Sequence, residues 1–184
     1  LYVWPSTGGA LSHLTVTQLD EGTLRRAAWL HVSGMCLQWE PIRSTMLAAM
    51  RIARSAGVPI SLDLNLRIET WGLTGAKLAA VQSAVDLADY VLGGGAEELM
   101  PLASASDVSS ALRIVSGGRR TVVARLGAAG AEALDQKGTR CSAPGISVTV
   151  LSLIGAGDAF NGGFIAALTS GLPLHDALRS EEHT

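Results

Sequence analysis

Apolar positions along the chain follow two alternating rhythms, short unbroken runs and spacings of three to four residues. The run at 29–33 (Trp29-Leu30-His31-Val32-Ser33) reads as a buried strand closed by Gly34. Over 41–56, Ile42, Met46, Leu47, Met50 and Ala53 recur at helical spacing, with Pro41 suited to a first turn and Gly57 to a stop. A strand at 58–64 follows, then a helix over 74–87 with Thr74 as its N-cap. A short strand at 90–92 precedes Gly93, Gly94 and Gly95. The pattern next predicts a helix over 106–116 starting near Asp107, a strand at 121–126 and a turn at 127–130. Segments 131–135 and 138–141 form a hairpin about Gln136-Lys137. A last strand at 147–151 leads into a Gly-rich turn and a helix over 155–168, stopped by Gly171, and 174–178 begins another helix. Strands alternating with helices predict an α/β domain with a mainly parallel sheet.

Composition narrows the class. The 184 residues suit one domain or a little more. Apolar residues at 48% and charged residues at 16% exclude a disordered chain or a charged tail. Aromatic residues at 4%, a net charge of −2 and the lack of a basic stripe give nucleic-acid binding no support. No apolar run is long enough for a bilayer, and no signal-peptide pattern opens the chain. Cys36 and Cys141 make neither a disulfide framework nor a metal cluster and fit a reducing, cytoplasmic setting. His13, His31, His175 and His183 show no metal-ligand spacing. Residue 1 is Leu, and residues 179–184 break the preceding pattern and read like a translated sequencing adapter. The expectation is a partial domain over 1–178, truncated at both ends, followed by a non-native tail.

The chemistry concentrates after the last predicted strand. Gly155-Ala156-Gly157 turns the chain into a helix whose first amides and positive dipole end suit an anion, most naturally phosphate. Asp158, in the first helical turn, is placed to take a proton from an attacking hydroxyl. An anion cradle beside a carboxylate base is what phosphoryl transfer needs, since that chemistry is mostly positioning and charge stabilisation. The competing reading makes Asp158 a helix cap and the glycines mere packing devices. A dinucleotide-binding G-x-G-x-x-G would need Gly where Phe160 stands, and the Gly-Lys-Ser/Thr of a P-loop does not occur.

The segment Gly155-Ala156-Gly157-Asp158-Ala159-Phe160-Asn161-Gly162-Gly163-Phe164 resembles the second signature of the ribokinase-like (PfkB) sugar kinases. Asp63-Leu64-Asn65-Leu66-Arg67, then Trp71, is similar to the D-x-N-x-R…W stretch of the family's 2-keto-3-deoxygluconate kinase and fructokinase branches. Residues 88–92 followed by Glu97 are similar to the strand ending in N-x-x-E, and residues 123–131 to the K-L-G-x-x-G-A strand and turn. The matches keep the family's order across 29–178.

The resemblance implies a ribokinase-like three-layer α/β/α fold with a mainly parallel central sheet. It implies an ATP-dependent phosphotransferase with Mg²⁺, acting on a sugar or sugar-acid hydroxyl and nearest to 2-keto-3-deoxygluconate kinase. The alternatives are a fructokinase or ribokinase type, or a non-catalytic nucleotide- or sugar-binding fragment. It assigns Asp158 as base, the backbone of Gly155, Ala156 and Gly157 as anion hole, and Glu97 to the Mg²⁺ water network. Arg125, Gly127, Gly130 and Asn161 fall to the nucleotide, Asp63, Asn65 and Arg67 to the sugar, and Trp71 to packing. It brings no nucleic-acid or membrane partner and allows a homo-oligomer of the full-length protein. Three departures stand out: Ser152-Leu153-Ile154 replaces an Asp-Thr-x tied to a monovalent cation, Gly94 replaces the Asn of N-x-x-E, and Leu1-Tyr2-Val3-Trp4 lacks the Arg of a Tyr-Tyr-Arg found in sugar-acid kinases. The family's opening signature is not in the chain, so the expectation is that these 184 residues alone fold poorly, with exposed sheet edges, and do not turn over.

Overall fold

The computed structural model describes residues 9, 13–146 and 154–179. The chain divides into two compact units, 1–91 and 92–184. The six strands β1 (Leu30–Ser33), β2 (Ile60–Asp63), β3 (Tyr90–Gly94), β4 (Thr121–Arg125), β5 (Ala131–Leu134) and β6 (Arg140–Ala143) follow that same order across one sheet. The sheet is mixed: β1 and β2 run parallel, while β4, β5 and β6 form an antiparallel meander.

In the first unit, β1 and β2 pair from Leu30↔Ile60 to Ser33↔Asp63, so both strands end at the same edge. Helix α2 (Ile42–Ser55) joins them and buries Ile42, Thr45, Ala49, Met50 and Ala53 along one face. Each large apolar side chain removed from water in this way contributes about 1.5–3 kcal/mol. Helix α4 (Gly75–Leu87) packs against α2 and buries Ala80, Val81 and Ala84. A shorter helix, α1 (Glu21–Arg26), is absent from the periodicity reading; Asp20 caps it by accepting a hydrogen bond from Thr23 N at 3.1 Å.

The predicted strand at 58–64 ends at Asp63. Asn65 (φ 36°) and Arg67 (φ 49°) turn left-handed, and a single helical turn follows, α3 (Ile68–Trp71). Of the three residues assigned to the sugar, only Asp63 therefore lies on the strand, and Asn65 and Arg67 follow it in the loop. Leu64 and Leu66 are nonetheless buried and draw the loop onto the core.

In the second unit, β3 passes into a π-helical turn (Gly95–Leu99) and then α5 (Met100–Ala103), neither of which the periodicity shows. Helix α6 (Val108–Ser116) starts where predicted, with Asp107 accepting from Ser110 N at 2.8 Å, and packs on β4 and β5. The expected hairpin joins β5 and β6; Asp135 Oδ1 accepts from Lys137 N and Thr139 N and sets the turn. Helix α7 (Ala156–Thr169) buries Phe160, Phe164 and Ala167 and packs against α8 (Leu174–Leu178). The predicted strand 147–151, Ser152 and Leu153, the opening Leu1-Tyr2-Val3-Trp4 and residues 180–184 lie outside the described residues.

Candidate active site

The head of α7 is built by Gly155, whose φ of +80° places it in the left-handed region that glycine enters without strain. Ala156, Gly157 and Asp158 are the first three helical residues, so their amides have no carbonyl one turn back within the helix. Asp158 is exposed. Asn161, one turn on, is buried with 1% of its surface exposed. Its Oδ1 accepts from Arg125 Nη1 at 2.8 Å, while its Nδ2 is buried without a hydrogen-bond partner.

Arg125, at the end of β4, gathers this region. Its guanidinium lies against Gly157: a Cβ there would stand 3.5 Å from Cζ and Nη1. Its Nη2 lies 3.6 Å from Glu98 Oε2, with only 20% and 13% of the two side chains exposed. Glu98 Oε2 also accepts from Gly94 N at 2.8 Å. One cation thus ties the end of β4 to the π turn and to α7.

The acidic residue engaged here is Glu98, which the N-x-x-E spacing does not select. Glu97 is exposed and aims its carboxylate at Gly94, whose Cβ, if present, would lie 2.9 Å from Glu97 Oε2 and 3.7 Å from Glu98 Oε2. Both carboxylates therefore converge where the family's Asn side chain would begin. Such a pair suits a hard divalent cation held through water; no cluster of three or more ligating side chains occurs among the described residues.

Of the turn glycines assigned to the nucleotide, Gly127 (φ +58°) opens a short 3₁₀ turn, where its side-chain position faces open space. Gly130 answers to the fold itself: a Cβ there would stand 2.1 Å from Ala143 O.

In the first unit, Asp63 is buried at the end of β2, directly across from Ser33. Asn65 donates through Nδ2 to Ser33 Oγ at 3.2 Å, and Arg67 is exposed. The ends of parallel strands are where α/β proteins place ligands. Trp71 packs edge-on against Trp39, with ring centroids 5.1 Å apart, as a packing residue would.

The pattern of the pfkB family carbohydrate kinases matches residues 6–180. The chain belongs to the pfkB family. Among its pfkB relatives, fructokinase-2 of Oryza sativa subsp. japonica is 33% identical over 153 residues, covering 83% of this chain and 45% of the relative. A 5-dehydro-2-deoxygluconokinase of Shouchella clausii is 29% identical over 169 residues, covering 91% of this chain and 52% of the relative. The crystal structure of the Vibrio cholerae fructokinase, bound to fructose, ADP and calcium, superposes with a TM-score of 0.75 at 32% identity, covering 83% of this chain and 51% of that one. The chain thus spans about half the length of the relatives it matches. No helix among the described residues is long and apolar enough to cross a membrane.

Proposed function

We propose that this pfkB chain forms the nucleotide-side and part of the sugar-side machinery of an ATP-dependent sugar kinase. The observation that carries the proposal is the head of α7, where exposed Asp158 follows a left-handed glycine and a run of helix-start amides. In this reading Asp158 accepts the proton of a sugar hydroxyl as that oxygen attacks the terminal phosphorus of ATP, whose bond to the bridging oxygen breaks so that ADP leaves. The amides of Gly155, Ala156 and Gly157 take up charge on the migrating group. Arg125 holds the turn through Gly157 and Asn161 and adds positive charge on its inner side. Glu97 and Glu98 fit a water-bridged Mg²⁺, which when bound would neutralise phosphate charge. Gly127 and Gly130 shape the turn on the nucleotide side.

The acceptor is a hexose-sized ketose or its sugar-acid counterpart, met by Asp63, Asn65 and Arg67. Similarity to fructokinases supports fructose, and the D-x-N-x-R stretch equally fits 2-keto-3-deoxygluconate. The test is a coupled ADP-release assay of the full-length protein with Mg²⁺ and ATP against fructose, 2-keto-3-deoxygluconate and ribose. Sugar-dependent ADP and a phosphorylated sugar in the mass spectrum are expected. ATP binding with no sugar phosphorylated would instead identify a nucleotide-binding relative that has lost turnover.

A further inference from the structure

We propose that Lys77 is a positioning residue that fixes the loop bearing Asn65 and Arg67, and so sets how the sugar is held; the sugar part of this inference rests on the kinase reading above. Lys77 is 6% exposed, although a lysine near a helix start ordinarily reaches into solvent. Its Nζ donates to Leu66 O at 2.6 Å and to Gly72 O at 2.8 Å, and lies 5.8 Å from the centroid of the Trp71 ring. The two carbonyls bracket Arg67 and the whole of α3.

The helix gives no reason for this placement. Lys77 is the third residue of α4, where the dipole disfavours a cation. The loop supplies the reason. Burial of an ammonium is tolerated when it is hydrogen-bonded, and loop carbonyls drawn onto a core need donors. Asn65 and Arg67 both hold left-handed backbone, which persists only where the surroundings enforce it. Upstream, the loop is pinned by Asn65 to Ser33 and by Gly34, which lies so close to Leu64 O that a Cβ would stand 2.1 Å away. Downstream, Lys77 and the Trp71–Trp39 contact hold the loop. Lys77 itself need not touch the sugar. It holds the backbone from which Arg67 projects.

The test is K77M in the full-length protein, which keeps the apolar stem and removes both donors. The specificity constant kcat/KM for the sugar should fall roughly ten- to a hundredfold, the scale of an ångström-sized misplacement, mainly through KM, with the KM for ATP within about twofold. Trypsin should cut after exposed Arg67 at least about tenfold faster than in the native protein, as expected of a locally loosened loop. Unchanged sugar KM and unchanged cleavage would overturn the proposal. So would equal losses toward ATP and sugar with a lowered melting temperature, which marks a general stability role. Should the native protein phosphorylate no sugar, the kinase reading fails, while the trypsin result still decides the role of Lys77. If K77M does not fold, K77Q takes its place, since its shorter, uncharged side chain cannot span both carbonyls: a shift confined to sugar KM and Arg67 cleavage supports the proposal, and native behaviour in the sugar assay and the digest overturns it.

Discussion

Replacing Arg125 by Met removes the cation that joins β4, the π turn and α7 while keeping an apolar side chain of similar length. Its bond to Asn161 Oδ1 is 2.8 Å long and ends on a residue only 1% exposed. A hydrogen bond to a charged group contributes about 1.5–3 kcal/mol, and a stranded buried acceptor costs about 1–3 kcal/mol; the two overlap, so the expected loss is about 2–4 kcal/mol. Because Asn161 Nδ2 already lacks a partner, R125M leaves the whole buried amide unsatisfied. The Glu98 contact at 3.6 Å is too long for a direct hydrogen bond and adds to that loss through charge alone. R125K keeps the charge without the planar fork and should lose about half as much as R125M. Urea titration followed by circular dichroism reads the result as a shifted midpoint at constant slope. In a double-mutant cycle, N161A should cost far less in the R125M background than in the native one, with a coupling of at least about 1 kcal/mol. An R125M variant within about 0.5 kcal/mol of the native protein, with additive cycle energies, would refute the bridging role.

Two further predictions concern backbone and pH. G155A meets no neighbouring atom, so its cost is conformational: a non-glycine residue at φ +80° should destabilise by about 1–2 kcal/mol in the same titration, and an unchanged midpoint would contradict the left-handed turn. Asp107 is held below its ordinary value of 3.8, first by the Ser110 backbone N–H and then by the Ser110 hydroxyl. A lowered native pKa stabilises above the unfolded value and loses that effect as pH falls through the native one. The native protein should therefore exceed D107N in stability at pH 6 and lose that advantage as pH drops below 3.8; a difference independent of pH would reject the cap.

Much of this architecture was legible because burial imposes a period. The spacing of Ile42, Met50 and Ala53 located α2, Asp107 marked the start of α6, and Gly155 to Asp158 marked the head of α7. What escaped has physical causes. The Glu98–Arg125 contact joins a π turn to the end of β4, and neither the turn nor the pairing has a local signal. Asn65 and Arg67 lie just past the predicted strand at 58–64, and the apolar pattern does not mark their left-handed backbone. The Arg125–Asn161 bond joins residues 36 apart, beyond any local signal. Lys77, amid small residues at a helix start, looks like an ordinary solvated lysine until the loop closes over it.

The central claim is that Asp158 accepts a proton while the amides beside it steady a phosphoryl group in flight. Single-turnover rates of the full-length protein and its D158N variant, with nucleotide affinity measured in parallel by calorimetry, test it most directly. The account predicts a rate lowered about a hundred- to ten-thousandfold, the contribution of a positioned general base, with nucleotide affinity nearly unchanged. Transfer to the sugar by D158N at close to the native rate would contradict it.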